Sequence, residues 1–115
     1  MDIEALQQKL REFAAERDWE QFHSPKNLAM ALAAEAGELI EIFQWQSETE
    51  SANPDPAQKT AVAHEVADVL IYLLRLADRL DIDLDVAVSD KMKINAEKYP
   101  VALSKGNATK ADRRD

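Results

Sequence analysis

The stretch PKNLAMALAAEAGELIEIFQW, residues 25–45, decides the fold class of this chain. Its large apolar side chains recur with the period of a helix, about 3.6 residues per turn, and lie on one side of it: Leu28, Leu32, Leu39 and Ile42. Glu35 falls in the middle of this apolar side, and Glu38 falls at its edge. A carboxylate that faces a protein core needs a compensating partner, because burial disfavours its charged form. The stretch therefore predicts an amphipathic helix that presents acidic groups to whatever packs against it.

A second apolar segment repeats this arrangement further along the chain. Its apolar side consists of Val62, Val66, Val69, Leu73 and Leu76. Glu65 and Asp68 flank that side and are three residues apart, as Glu35 and Glu38 are. If the two apolar sides pack together, four carboxylates converge. Like charges brought together oppose folding unless protons, basic residues or a cation neutralise them.

Two interpretations of these acidic pairs are open. Side chains at i and i+3 project together from one helical turn, which suits the binding of a cation. Neither pair includes a histidine, and purely oxygen ligation favours Mg²⁺, or alternatively Mn²⁺, over iron or zinc. A single acidic pair is more often part of a solvated helix face. Two pairs beside apolar sides favour a metal site formed by Glu35, Glu38, Glu65 and Asp68.

Composition and charge set further bounds on fold and function. The chain has 115 residues, of which 46% are hydrophobic, two are glycine and four are proline, and this fits one all-α domain. The formal net charge of -8 argues against a nucleic-acid partner, since that interaction depends on clustered Lys and Arg. The sequence has no cysteine, no apolar centre typical of a signal peptide and no apolar run of about 18 residues. We therefore expect no disulfide, no membrane partner and a cytoplasmic location.

Four helices are predicted in chain order: a first ending near Arg17, a second from Pro25 to about Trp45, a third from about Ala57 to Leu80, and a fourth that starts at Asp81 or Asp83 and ends before Pro100. Ser24 is suited to cap the second helix, and proline is favoured at the first helical position. Residues 46–58 are polar and hold two prolines, which predicts a loop. We predict one domain at residues 1–103 and a flexible tail at residues 104–115.

Some apolar residues lie outside the two apolar sides. Met30 and Ile40 on the second helix, and Ile71 and Leu74 on the third, point away from them. Four helices cannot bury both faces of two of their members, so these residues predict an oligomer. Gly37 lies in mid-helix, at a cost of about 1 kcal/mol relative to alanine. Either a neighbouring helix approaches closely at Gly37, or the helix simply tolerates a glycine at this position.

Aromatic and basic residues supply further candidates for a site. The aromatic ones are Trp19, Phe22, Trp45 and Tyr72. They either cap the core or stack on a nucleobase, an interaction that contributes roughly 1 to 3 kcal/mol per base. His23 is either a polar surface residue or a contact for a base edge. Three residues recur along one face of the fourth helix and are either solvated or in contact with phosphate oxygens: Lys91, Asn95 and Lys98.

The pairs Glu35-x-x-Glu38 and Glu65-x-x-Asp68 are separated by 26 residues, a pattern that resembles the signature of the MazG-type all-α nucleoside triphosphate pyrophosphohydrolases. Three longer blocks are similar to the dCTP pyrophosphatase branch of that family: FAAERDWEQFHSPKNLAMALAAEAGELIEIFQW (13–45), DVLIYL (68–73) and KMKINAEKYP (91–100). The resemblance covers residues 3–103. The loop at residues 46–58 is shorter and more polar than in vertebrate members, which leaves the preferred nucleotide open.

The resemblance implies a four-helix bundle that hydrolyses dCTP or a related triphosphate with Mg²⁺, cleaving between the α and β phosphates to give the monophosphate and pyrophosphate. By position, the metal ligands and catalytic residues would be Glu35, Glu38, Glu65 and Asp68. The base pocket would contain Trp19, His23 and Trp45. Residues near the sugar or phosphates would be Tyr72, Lys91, Asn95 and Lys98. A homotetramer built as a dimer of dimers is also implied. The alternative is a non-catalytic helical interaction protein or a metal-binding regulatory protein.

Overall fold

Six α-helices and two short 3-10 helices form in residues 1–114, the part of the chain that the computed structural model describes. The α-helices are α1 Ile3–Glu16, α2 Pro25–Phe43, α3 Glu48–Ala52, α4 Pro56–Arg79, α5 Leu84–Lys98 and α6 Val101–Ser104; the 3-10 helices are Glu20–Phe22 and Ala111–Arg113. No strand occurs among these residues, so the all-α prediction is confirmed. None of their helices is long and apolar enough to cross a membrane. The chain divides into two compact units, of which the first is Met1–Asp81 and the second begins at Ile82.

Capping side chains set the starts of the long helices. Ser24 Oγ accepts a hydrogen bond from the backbone N–H of Asn27 at 3.1 Å, and Pro25 occupies the first turn of α2. Asp55 and Asp83 accept equivalent bonds at the starts of α4 and α5, at 2.8 and 3.1 Å. Such a cap typically stabilises a helix by about 1 kcal/mol. The predicted starts at Pro25 and Asp83 are therefore confirmed.

The prediction of an unbroken loop at residues 46–58 is wrong, because α3 forms inside it. Ser47 Oγ accepts a hydrogen bond from the backbone N–H of Glu50 at 3.1 Å, and Glu50 Oε1 accepts one from the backbone N–H of Ser47 at 3.2 Å. This reciprocal pair is a capping box, whose sequence signal is Ser followed three residues later by Glu. The two prolines that suggested a loop lie beyond the end of α3.

The core of the first unit forms where α4 packs against both α2 and α1. Its most buried residues are Ala14, Leu28, Leu74, Arg75 and Ala77. Polar contacts also join α1 to α4. Gln7 Nε2 donates a hydrogen bond to the backbone oxygen of Leu74 at 3.1 Å, and Arg11 pairs with Asp78 at 2.6 Å. Helix α4 is therefore held from two directions.

The apolar side predicted for α4 is wrong in part. Val66 and Leu73 are 51% and 43% exposed, whereas Leu74, which was predicted to point away from the core, is 1% exposed. Helix α4 carries apolar residues nearly all round its second half, so the helical period does not reveal which side packs within the chain. Packing against α2 and α1 selects the side that contains Leu74 and Ala77.

Large apolar side chains remain exposed on α2. Met30 is 60% exposed and Ile40 is 62% exposed, which confirms that they lie outside the core of the chain. Ile71 of α4 is half-buried. The oligomer that these residues suggested stays a prediction.

The second unit contains α5, α6 and the 3-10 helix Ala111–Arg113. Tyr99 follows α5, and its hydroxyl oxygen accepts a hydrogen bond from the backbone N–H of Ala111 at 3.2 Å. Arg114 lies over the Tyr99 ring, 5.4 Å from its centroid, and donates a hydrogen bond to the backbone oxygen of Lys98. The flexibility predicted for residues 104–115 stays a prediction, and Asp115 lies outside the described residues.

Candidate functional site

Three of the four predicted acidic ligands converge where α2 packs on α4. One carboxylate oxygen each from Glu35, Glu38 and Glu65 lies within 4.8 Å of the other two. Glu35 and Glu65 are half-buried, and Glu38 is exposed. Glu35 and Glu38 project together because they are one helical turn apart, and the packing of α2 on α4 brings Glu65 to them. We call these three residues the acidic cluster.

Asp68 lies one turn beyond Glu65 on α4 and is half-buried. Its carboxylate is not one of the three that meet within 4.8 Å. It is nevertheless near enough for its charge to raise the pKa of Glu35. Its role as a ligand stays a prediction, as do the ligand roles of the acidic cluster.

The acidic cluster contains buried oxygen atoms without partners. Glu35 Oε2 and Glu65 Oε2 are both inaccessible to solvent, and neither has a hydrogen-bond partner among residues 1–114. An unsatisfied buried polar atom typically costs about 1 to 3 kcal/mol. Two such oxygens facing one cluster fit a hard divalent cation, which takes carboxylate oxygens as ligands. The donor set therefore fits Mg²⁺ or Mn²⁺.

A proton compensates part of this negative charge. The pKa of Glu35 is raised from 4.5 to about 7, first because a protonated Glu35 can donate a hydrogen bond to the Glu65 carboxylate, which two ionised groups cannot form, and then by burial. The neighbouring Glu38 can accept such a bond as well, and the negative charges of Glu38 and Asp68 raise the pKa of Glu35 further. Glu35 therefore holds a proton close to neutral pH, and a divalent cation would compete with that proton for the same oxygens.

The predicted aromatic residues lie in different surroundings. Trp19 is 42% exposed, and its ring meets the ring of Phe13 edge-on, with centroids 5.7 Å apart. Trp45 follows the end of α2 and is 89% exposed, so it caps no core within residues 1–114. Tyr72 of α4 is half-buried and lies one turn beyond Asp68. Of these three rings, Trp45 is the one whose exposure fits least with a role in covering the core.

His23 lies between the short 3-10 helix and α2, beside Trp19, with ring centroids 6.2 Å apart. Its Nδ1 is 3.4 Å from Nη2 of Arg75, which is 3% exposed. Sequence reasoning missed Arg75, which appeared only as one more residue of an apolar helix. The signal was its charge within the run LLRLA of α4, because charged residues are rarely fully buried without partners.

Three predicted phosphate contacts lie in the second unit, on α5: Lys91, Asn95 and Lys98. All three are exposed. They recur at intervals of four and three residues, so they share one face of that helix, as predicted. Their contact with a substrate stays a prediction.

A family model described as the MazG-like family matches residues 30–112. The chain belongs to the MazG-like family. The resemblance indicated by the two acidic pairs and by the block at residues 13–45 is therefore confirmed.

The proteins to which this MazG-like chain is similar include two mammalian proteins and one solved structure. It is 51% identical over 110 residues to dCTP pyrophosphatase 1 of Mus musculus, and 46% identical over the same length to that of Homo sapiens. Both alignments cover 94% of this chain and 65% of the relative, so the chain spans slightly less than two thirds of the relatives' length. The crystal structure of a pyrophosphatase from Archaeoglobus fulgidus has 47% identity and a TM-score of 0.79, covering 84% of this chain and 91% of that one.

Proposed function

We propose that this chain is a Mg²⁺-dependent nucleotide pyrophosphohydrolase that cleaves dCTP or a related nucleoside triphosphate between the α and β phosphates, releasing the monophosphate and pyrophosphate. The observation that carries the proposal is the acidic cluster with its two unpartnered buried oxygens, Glu35 Oε2 and Glu65 Oε2. The dCTP pyrophosphatases with which the chain shares 46% to 51% identity support the substrate class.

In this proposal the metal ligands are Glu35, Glu38, Glu65 and Asp68. When bound, Mg²⁺ neutralises phosphate charge and polarises the phosphoryl group as charge shifts in the transition state. For the metal to bind, Glu35 must lose its proton, so that the acidic cluster becomes fully anionic. One carboxylate oxygen must also stay free to orient the attacking water.

The proposed base pocket contains Trp19, His23 and Trp45. The exposure of the Trp45 ring supports a stacking role, because nothing in residues 1–114 covers it. Tyr72, Lys91, Asn95 and Lys98 are proposed to contact the sugar or phosphates, a role that rests on the family resemblance.

We also propose a homotetramer and a cytoplasmic location. The exposed side chains of Met30 and Ile40 on α2 support an oligomer, since large apolar surface is usually covered in a stable protein. The net charge of -8 supports the absence of a nucleic-acid partner.

Incubation with a panel of triphosphates and Mg²⁺, followed by separation of the products, tests the activity. We expect the monophosphate and pyrophosphate, with dCTP among the preferred substrates. Release of orthophosphate with the nucleoside diphosphate would contradict the proposed bond cleavage.

Binding measurements separate the alternatives from the enzyme. A helical interaction protein would show no thermal stabilisation by Mg²⁺ and none by nucleotide, whereas any ligand that binds the native state raises the melting temperature. A metal-binding regulator would show the Mg²⁺ shift without any product.

A further inference from the structure

Arg75 lies in the core of the first unit, where a charged side chain needs partners. It is 3% exposed. Its Nη1 is 3.6 Å from Asp78 Oδ2, and Asp78 Oδ1 accepts a hydrogen bond from Arg11 Nη1 at 2.6 Å. Its Nη2 is 3.4 Å from His23 Nδ1, and its Nε has no hydrogen-bond partner among residues 1–114. Asp78 therefore contacts one side of the guanidinium, and His23 contacts the other side.

The chemistry of the two groups fixes the direction of the hydrogen bond between them. A guanidinium stays protonated in proteins and has donors only, whereas each neutral imidazole has one N–H donor and one acceptor nitrogen. Nδ1 of His23 must therefore be the acceptor, so the imidazole proton is on Nε2. The tautomer of a histidine is commonly set in this way, by the hydrogen bond that its other nitrogen makes.

We propose that Arg75 is a positioning residue for the nucleobase: it holds His23 as the neutral tautomer protonated on Nε2, so that Nε2–H donates to an acceptor on the base such as a pyrimidine carbonyl oxygen. The substrate part of this inference rests on the proposed function. The tautomer part rests on the contact between Arg75 and His23 alone. Arg75 acts through His23 and is not itself a contact of the substrate.

The charges around His23 favour the neutral ring that this arrangement needs. Burial and the positive charge of Arg75 lower the pKa of His23, and the charge of Arg79 on the same helix lowers it further. Glu20, on the 3-10 helix before His23, acts in the opposite direction and is outweighed. Trp19, whose ring lies beside that of His23, carries no charge. His23 therefore gains its proton at a lower pH than an unperturbed histidine does.

Nitrogen NMR of the imidazoles in the nucleotide-free wild-type protein tests the tautomer directly. The chain has only two histidines, and His64 is exposed on α4, so His64 supplies an internal reference. At pH 7.5 or so, a value well above the unperturbed histidine pKa of about 6.5, we expect His23 Nε2 to be protonated and Nδ1 to be unprotonated. A proton on Nδ1, or a mixture of the two tautomers, would overturn the inference.

Two variants separate the hydrogen bond from the charge. Arg75→Met removes the donors and retains most of the apolar stem, while Asp78 keeps its partner Arg11. We expect the His23 ring to become a tautomer mixture in this variant. Arg79→Gln removes one positive charge from the same helix and leaves the contact at Nδ1 intact, so we expect the wild-type tautomer. Equal spectra for Arg75→Met and the wild type would contradict the role of Arg75.

Kinetics at about pH 8, where His23 is neutral in every variant, test the consequence for the substrate. We expect Arg75→Met to raise KM for dCTP roughly five- to tenfold, the value of one hydrogen bond, with a smaller change in kcat. Arg79→Gln should keep the wild-type KM. A wild-type KM in Arg75→Met would overturn the positioning of the base. A wild-type protein without any nucleotide hydrolysis would instead overturn the proposed function, and the NMR result would still decide the tautomer.

Discussion

At the scale of single residues, Glu35 has the most perturbed environment among the predicted ligands. Three other acidic groups raise its pKa to about 7, and one of its oxygens is buried without a partner among residues 1–114. A structural residue in a helix rarely keeps both features, because each opposes folding. Perturbed carboxyl groups of this kind are frequent at functional sites.

The raised pKa of Glu35 predicts how stability depends on pH without divalent cations. The folded state holds this proton up to about pH 7, and the unfolded state only up to about 4.5. The contribution of Glu35 to the free energy of unfolding is therefore full below pH 4.5 and is lost as pH rises through 7. We expect the melting temperature in EDTA to fall across this window, and the fall to be smaller in Glu35→Gln.

Added Mg²⁺ should reverse that trend, because the cation and the proton compete for the same oxygens. Stabilisation by Mg²⁺ should then grow as pH rises towards 8. Glu41→Gln provides the control, since Glu41 is exposed on the same helix and outside the acidic cluster. A pH dependence identical in Glu35→Gln and Glu41→Gln would contradict the assignment to Glu35.

Replacement of Glu38 by Gln should reduce turnover by at least roughly 100-fold. Mutation of a residue that only hydrogen-bonds to a metal ligand already reduces metal affinity or activity by typically 10- to 100-fold. Glu38 is exposed and its charge repels those of its neighbours in the acidic cluster, so the variant should keep its helical circular dichroism and have a melting temperature in EDTA no lower than that of the wild type. The measurement is kcat/KM for dCTP at saturating Mg²⁺, with Glu41→Gln as the matched control. Retained activity would remove Glu38 from the proposed ligand set.

Residue spacing was sufficient to predict the acidic cluster but not the environment of His23. Glu35, Glu38 and Glu65 lie on two helices whose periods are visible in the sequence, so their meeting followed from the packing of those helices. Arg75 and His23 are 52 residues apart, and no periodicity relates them. Their contact depends on how the chain between α1 and α2 lies against α4.

At the scale of helices, local signals predicted the ends better than the periodicity predicted the buried faces. Ser24 and Asp83 act as caps, as expected from their side chains, and α3 would have been found from Ser47 and Glu50 as a capping box. The prediction of which side of α4 is buried was wrong in part, because both sides of this helix are apolar. The packing against α2 and α1 that decides between them depends on tertiary structure and not on the local sequence.

Replacement of Gly37 by alanine tests whether the middle of α2 requires glycine. Apart from the two adjacent residues and the nearby backbone of α2 itself, a Cβ built at this position meets no atom of residues 1–114 within 4 Å, so no close approach of another part of the described chain requires glycine. Gly37→Ala should therefore stabilise the folded chain by up to about 1 kcal/mol, which is roughly 4 °C in melting temperature. Thermal denaturation at several protein concentrations checks this. A loss of stability that accompanies dissociation would instead place a neighbouring subunit against Gly37.

At the scale of the whole molecule, the exposed apolar surface of α2 bears on assembly. Light scattering should give a mass near four times the 12.9 kDa of the chain. Ile40→Glu places a charge on this surface and should shift the protein towards smaller species. Thr49→Glu adds the same charge at an exposed polar position on α3, outside this surface, and it should keep the wild-type mass. A monomeric wild-type protein would contradict the proposed tetramer.

The exposure of Trp45 gives the protein a built-in optical reporter. The chain has two tryptophans, and we expect the indole that is 89% exposed to emit at longer wavelengths than the one that is 42% exposed. Stacking of a nucleobase on Trp45 should quench that long-wavelength emission, and Trp45→Phe should remove this part of the response and leave only what Trp19 contributes. Nucleotide affinity would then be readable in solution without a label, in the same cuvette in which Mg²⁺ is titrated.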